Sequence, residues 1–407
     1  MARRAAGCGV TRKEERIART RRWAAIVALG IAAAVIMWVA LPAPWHWGAG
    51  LIVAAALAIG HRQMIAPAGV AVLTYHSVSP DPAWLPWSRE IAVHPATFER
   101  HLRTLRRMGV TLVGSRALTE RRSAGAPVLP DAVALHFDDG YFDNWRCAAP
   151  LLRAYDAPAT FFASLDFVDP ARGVRSGGAL DGYMNWDELA ELEADPRFEV
   201  EPHGVAHARV PTSERVVGTL DAANWRTHAW MQWDATPGPK HDWYRRTLPD
   251  AVPIGSAIPA SGLALAEPAF RDGLRESVDT LHDRIARDLT ACRTAFEREL
   301  GITPKLFCWP ENKLCAQGRT IARDLGYRAT TGGKGRNTAD EPADTISRIH
   351  VNDRVLGFRW LAAEALYLRA AVRLMQGNHY WYLLLAPMQV TRRVVFAIRR
   401  RFGSDFA

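Results

Sequence analysis

Nineteen consecutive residues, Trp23 to Leu41, carry no charge. As a helix they are about the length that crosses a hydrocarbon core, which restricts the chain more than any other feature. A basic arm precedes them, with eight Lys/Arg against two Glu in residues 1–22. Leu41-Pro42-Ala43-Pro44-Trp45-His46-Trp47 follows with no small-residue cleavage site, so the run reads as an anchor rather than a removed signal peptide. A second apolar run, Gly48 to Gly60, is short for a span and predicts the return arm of a hairpin. Positive charge stays in the cytoplasm. A hairpin therefore places the remainder of the chain in the cytoplasm, whereas a second run lying on the surface places it outside.

The 407 residues, 49% hydrophobic and 23% charged, exclude a disordered tail protein and a disulfide miniprotein. The net charge of +9 sits at the two ends: residues 1–22 carry +6, residues 391–407 carry +4, and the rest is close to neutral. That distribution suits a membrane surface rather than a phosphate-tracking groove, so no nucleic acid partner is expected. Five cysteines form neither a disulfide framework nor paired zinc knuckles; Cys308 and Cys315 are close enough in sequence to pair, but free thiols are expected.

From Gly69 the pattern alternates. Strands are expected at Val70–His76, Val133–Phe137, Ala159–Ala163, Phe198–Glu201, Lys305–Trp309, Tyr327–Thr330 and Ile346–Val351. Helices are expected at Pro95–Met108, Asn144–Tyr155, after the capping box Asn185-x-x-Glu188, at Ser277–Leu300 and at Thr320–Leu325. Strand, helix, strand at this pace implies an α/β fold with a parallel sheet, open or closed into a barrel. Residues 211–272, with Trp225, Trp230, Trp233 and Trp243, read as an ordered insertion that packs on the core or offers rings to sugar faces. Beyond Gly357 the chain is helical and ends in Arg392, Arg393, Arg399, Arg400 and Arg401, a helix that lies in a bilayer interface or docks to finish the fold.

The chemistry gathers after three strands. Asp138-Asp139-Gly140 ends one of them, and two adjacent carboxylates share a site only if the strand has turned, which Gly140 permits. His203 and His207 follow another strand; at i and i+4 they converge on one ion if the segment is a helical turn. Two His and a carboxylate also describe a non-haem iron oxygenase, although no 2-oxoacid motif is visible. The third strand runs Phe307-Cys308-Trp309-Pro310-Glu311-Asn312.

Taken together, Phe137-Asp138-Asp139-Gly140-Tyr141, His203-x-x-x-His207 and the strand ending at Pro310 resemble the polysaccharide deacetylase family, the NodB-homology carbohydrate esterases. Leu73-Thr74-Tyr75-His76-Ser77-Val78, Ala159-Thr160-Phe161-Phe162 and the Gly326-Tyr327 strand fit the same order over residues 69–352. The resemblance implies a distorted (β/α) barrel and metal-dependent hydrolysis of an N-acetyl group on an amino sugar. It implies Asp139, His203 and His207 as metal ligands, for zinc foremost, with cobalt, nickel or manganese as alternatives. It implies Asp138 as general base and the backbone N–H of Glu311 as oxyanion donor. Tyr141, Trp309 and Pro310 would face substrate, and either His350 or His76 would be the general acid. One departure stands out: Pro310-Glu311-Asn312 replaces the family's usual Pro-Tyr-Gly.

The expected organisation is a basic cytoplasmic arm (1–22), a transmembrane anchor (23–66), a NodB-like domain (67–356) and a basic membrane-proximal tail (357–407). The expected function is a membrane-anchored N-deacetylase acting on a lipid-linked or membrane-proximal amino-sugar glycan. A periplasmic exopolysaccharide deacetylase and a catalytically silent sugar-binding relative are the alternatives.

Overall fold

The computed structural model describes residues 11–402. The first half of the basic arm, with Cys8, and the last five residues lie outside the described residues. Helix α1 (Arg12–Ala40) begins well before the uncharged run, at a capping box in which the Thr11 side chain accepts from Glu14 N–H. Helix α2 (Trp47–Met64) returns antiparallel to it. The two approach closely at Gly30, where an added Cβ would lie 2.2 Å from the Ala56 Cβ. Among the described residues α1 is the one helix long and apolar enough to cross a membrane. Its Leu29, Ile36 and Val39 side chains, with Leu51 and Ile59 of α2, are exposed.

The expected alternation follows. Strands β1 (Ala71–Tyr75), β2 (Ala132–Phe137), β3 (Ala159–Ala163), β4 (Phe198–Pro202), β5 (Leu306–Phe307), β6 (Ala329–Thr331), β7 (Thr345–Ile346) and β8 (Ile349–His350) form the core. They pair in parallel in the orders β8-β1-β2-β3-β4 and β5-β6-β7. The Cys308 N–H donates to the Pro202 carbonyl at 2.9 Å and joins β4 to β5. Between β7 and β8 only Ser347 and Arg348 span the gap, so the strand expected over Ile346–Val351 is two strands in different sheets. The result is a distorted (β/α) barrel.

Period-two alternation sorts the strand residues. Leu73, Tyr75, Leu135, Phe137 and Phe161 pack outward against Phe98, Leu102 and Leu105 of α3 (Pro95–Arg107). Val72, Ala134, Phe162, Leu306, Ala329 and Ile346 fill the inside. Each fully buried Phe or Leu contributes about 1.5–3 kcal/mol. The helix expected over Asn144–Tyr155 opens as a wide π turn, Asn144–Ala148, before regular helix from Ala149 to Ala154; Pro150 has no N–H for the Arg146 carbonyl. Helix α4 (Trp186–Ala194) carries the expected Asn185/Glu188 capping box, and α5 (Val278–Leu300) starts at Ser277 and stops at Gly301 with φ 67°. Helix α6 (Ala316–Asp324) covers β5 and β6.

The insertion is more regular than its sequence implies. Residues Arg209–Thr219 and Ala257–Leu263 form an antiparallel hairpin, with irregularities around Val216 that hide the alternation. Trp225 and Trp230 pack with Leu220 and Ile258, and Trp243 stacks on Trp87 at 5.6 Å. The C-terminal segment is not a separate tail. Helix α7 (Leu361–Met375) places Leu368, Val372 and Met375 in the cluster that holds β1 and α3. Helix α8 (Tyr382–Phe402) docks on α7 through Leu385 and Met388, and leaves Leu383, Val390, Val394 and Ile398 exposed. The docking expectation holds for the start of this helix.

Candidate functional site

The C-terminal ends of parallel strands point one way, and the sequence-predicted residues meet there. Asp139 has φ 72° and Gly140 the same, so the turn needed to bring both carboxylates to one site starts at Asp139 itself. His203 and His207 also converge, but not on a helical turn. The segment is a loop with Gly204 at φ 81° and His207 at φ 44°, held by the Val205 N–H, which donates to half-buried Asp288 at 3.1 Å.

Asp139 Oδ1 lies 3.2 Å from His203 Nε2 and 3.8 Å from His207 Nε2. His203 Nδ1 donates to the Cys308 carbonyl at 2.9 Å. That bond fixes the tautomer, so the neutral ring turns its Nε2 lone pair towards a carboxylate oxygen. Two acceptors facing each other at this distance call for a cation between them, either a proton or a metal. The three donor atoms lie within 4.8 Å of one another, and two imidazoles with one carboxylate fit a divalent ion of the zinc class. Without it, burial lowers His203, but Cys308 and Asp139 outweigh burial and hold it well above the ordinary imidazole range.

Asp138 is 2% exposed. Arg348 Nη1 donates to its Oδ1 at 2.7 Å, the Cys308 thiol lies 3.6 Å from the same oxygen, and His76 Nε2 is 3.9 Å from Oδ2. Burial would raise this carboxyl; Arg348 chiefly, then His203 and His76, bring it down to about 2. Arg348 is itself steadied by Asn312, whose Oδ1 accepts from Nε at 2.9 Å. The loop after His76 is tied in by buried Asp143, which accepts from Ser77 Oγ at 2.5 Å and Val78 N–H at 3.0 Å.

The remaining expectations divide. His76 lines the cavity above the carboxylates. His350 does not: it is exposed, its Nε2 bonds the Glu90 carbonyl at 2.8 Å, and its ring meets only the edge of His76, with centroids 5.0 Å apart. Trp309 cannot face substrate, because its ring is fully buried between Phe307 and Gly318. Pro310 is buried as well. Tyr141 lines the cavity, and burial together with the Asp139 charge pushes its phenol well above the ordinary value. The Glu311 backbone sits at φ 49° in a tight turn, while its side chain pairs with Arg209 across the mouth.

The cavity over these groups measures about 440 Å³. Its walls are aromatic, with Trp87, Tyr141, Tyr183, Trp230 and Trp233, so two of the insertion's tryptophans border the site while the others pack. Neither Arg348 nor Arg209 was singled out from the sequence, and Cys308 reads only as a free thiol within the third motif. Arg348 carried one signal: a carboxylate buried at a strand end needs a cation, and Arg348 immediately precedes a neighbouring strand.

Residues 126–236 match the family model described as Polysaccharide deacetylase. The chain is 22% identical over 265 residues to the poly-beta-1,6-N-acetyl-D-glucosamine N-deacetylase of Escherichia coli K12, and spans about a third of that relative's length. Two solved structures share its fold with a TM-score of 0.50. One is the de-N-acetylase of Aggregatibacter actinomycetemcomitans, at 19% identity over 69% of this chain and 94% of that one. The other is the BpsB deacetylase domain of Bordetella bronchiseptica, at 18% identity over 71% and 97%. Motif resemblance and matched segment agree that residues 126–236 are similar to the polysaccharide deacetylase (NodB-homology) family, and the two solved structures share the fold.

Proposed function

We propose that the chain is a membrane-anchored, metal-dependent carbohydrate N-deacetylase that converts an N-acetylamino sugar to the free amine and acetate. The observation that carries this reading is the convergence of Asp139, His203 and His207 beside an ionised, buried Asp138 at the barrel mouth. Those three residues would hold the divalent ion, which when bound polarises the amide carbonyl and makes water acidic enough to attack near neutral pH. Asp138 accepts the proton of the attacking water, and Arg348 keeps it ionised and aimed. His76, on the cavity wall, gives a proton to the leaving amine. The Glu311 N–H would donate to the developing oxyanion while Arg209 holds the Glu311 carboxylate aside. Trp230, Trp233 and Tyr141 offer ring faces to the sugar.

The names of the relatives support an N-acetylglucosamine-type substrate. The domain runs from about residue 67 and takes in α7. The antiparallel pairing of α1 and α2 supports a hairpin that returns the chain to the side of the basic arm, hence a cytoplasmic domain and a lipid-linked or membrane-proximal glycan. An alkaline phosphatase reporter fused after Ala407 that is active outside the cytoplasm contradicts that topology. Activity is tested by acetate release from N-acetylated β-1,6-glucosamine oligomers by the full-length protein supplied with zinc or cobalt. Release abolished by Asp138→Asn supports the reading. Tight oligomer binding without release, unchanged by Asp138→Asn, supports the silent sugar-binding reading that the Arg209–Glu311 pair across the mouth favours.

A further inference from the structure

A second cleft, of about 750 Å³, lies where the start of α1 meets the domain, on the far side of β8 from the catalytic mouth. Its polar wall is cationic: Arg12, Lys13 and Arg16 on α1 face Lys334, with His379, which burial lowers to about 4 and keeps neutral, beside them. Two further cations there are already matched, Arg336 by Glu15 and Arg348 by Asp138. Two carboxylates stand among the first four cations: Glu14, held in the α1 capping box by Thr11, and Glu341, which faces Arg12 and accepts from the Arg336 and Asn337 N–H groups. Arg12 spends its guanidinium on neutral acceptors, the Arg348 carbonyl at 2.8 Å and Met375 Sδ at 3.4 Å. Arg16 Nε is buried without a hydrogen-bond acceptor. His379 is 1% exposed and neither ring nitrogen has a hydrogen-bond partner; its nearest carboxylate, Glu15, stands 3.6 Å away.

The opposite wall is apolar, with Ile17, Ala371, Leu374 and Leu385. Ile17 precedes Trp23 by six residues, about 9 Å along a helix, so this wall continues into the lipid-facing surface of α1. Helix α8 also carries exposed apolar side chains, Leu383, Val390, Val394 and Ile398. A strongly cationic floor joined to an apolar wall that leads into a bilayer fits an amphiphile whose head is an anion. We propose that this cleft binds the phosphate of an anionic membrane lipid, with the hydrocarbon leaving along α1. The site rests on α1 being a membrane helix and is independent of the deacetylase reading. It also abuts the catalytic centre, because Arg348 lines the cleft with one end and holds Asp138 with the other.

The test uses the full-length protein in neutral detergent and native mass spectrometry, with dioleoyl phosphatidic acid, dioleoyl phosphatidylcholine and inorganic phosphate as separate probes. One phosphatidic acid per chain is expected to be retained at least tenfold more tightly than phosphatidylcholine, with inorganic phosphate much weaker. Arg16→Gln/Lys334→Gln should weaken phosphatidic acid tenfold or more and leave bound-metal content unchanged. Lys13→Gln/Lys334→Gln, at two exposed side chains, serves if the first variant does not fold. Equal retention of the two lipids, phosphatidic acid no tighter than inorganic phosphate, or undiminished binding by a folded variant overturns the proposal. A chain that stays soluble without detergent refutes instead the membrane reading beneath it.

Discussion

Replacing Arg348 by Met removes the cation beside a carboxylate that remains buried. Asp138 is brought from an ordinary 3.8 to about 2 in the fold, a difference of roughly two pKa units, or about 2–3 kcal/mol at neutral pH. A carboxyl depressed in this way contributes stability above its unfolded value and loses it as pH falls from about 4 towards 2. Without Arg348, only His203 and His76 still oppose burial, so Asp138 rises to its ordinary value or above, and the full cost at pH 7.5, with one partner of a buried pair removed, reaches about 3–5 kcal/mol. For a domain of about 300 residues that is a fall in Tm of roughly 5–8 °C. The variant's carboxyl then takes up a proton between pH 7.5 and 4.5 while the wild-type carboxyl does not, so the Tm gap narrows as pH is lowered through that window. Thermal unfolding by tryptophan fluorescence, with a chelator present, measures both. Asp138→Asn placed in the Arg348→Met background should recover much of the loss at pH 7.5. A gap below about 1 kcal/mol, or one equal at pH 4.5 and 7.5, refutes the claim that Arg348 sustains a buried anion.

Other substitutions separate the roles of the neighbours. His76→Ala should lower kcat on an N-acetylated oligomer by about 10²–10⁴, whereas His350→Ala, bonded to the Glu90 carbonyl and facing away, should change kcat by no more than about threefold; the reverse order reassigns the general acid. Arg209→Met frees the Glu311 carboxylate into the mouth and should raise KM more than it lowers kcat in steady-state kinetics, with bound metal unchanged. Gly30→Val cannot be accommodated against Ala56 and should splay the α1–α2 pair. Cysteine pairs placed across the two helices should then cross-link poorly, while an unchanged yield contradicts the hairpin.

Much of the barrel is legible because its strands are buried on both faces and bounded by turns, and because capping residues such as Ser277 and Asn185 mark their helices. The cluster of Asp139, His203 and His207 is legible for a different reason: its three residues each follow a strand, and strand ends converge. What hides is set by partners distant in sequence. Arg348 reaches Asp138 across 210 positions, and nothing local distinguishes it from a surface arginine. Trp309 looks like a binding residue beside a motif, but strand alternation turns it under α6. His350 lies in β8 and misses the site, bonding the Glu90 carbonyl, while Arg348, two residues earlier in the gap before β8, reaches Asp138. The loop at 203–207 mimics helical spacing because a single left-handed Gly204 reverses the chain between the two histidines.

The claim on which the rest depends is that Asp139, His203 and His207 form a metal centre. Elemental analysis of the full-length protein, offered zinc and then dialysed, beside His203→Ala prepared identically, tests it directly. One divalent ion per chain in the wild type, lost in a variant that is otherwise folded, is the predicted result. A folded wild type with no stoichiometric metal, or a variant that keeps it, contradicts the account.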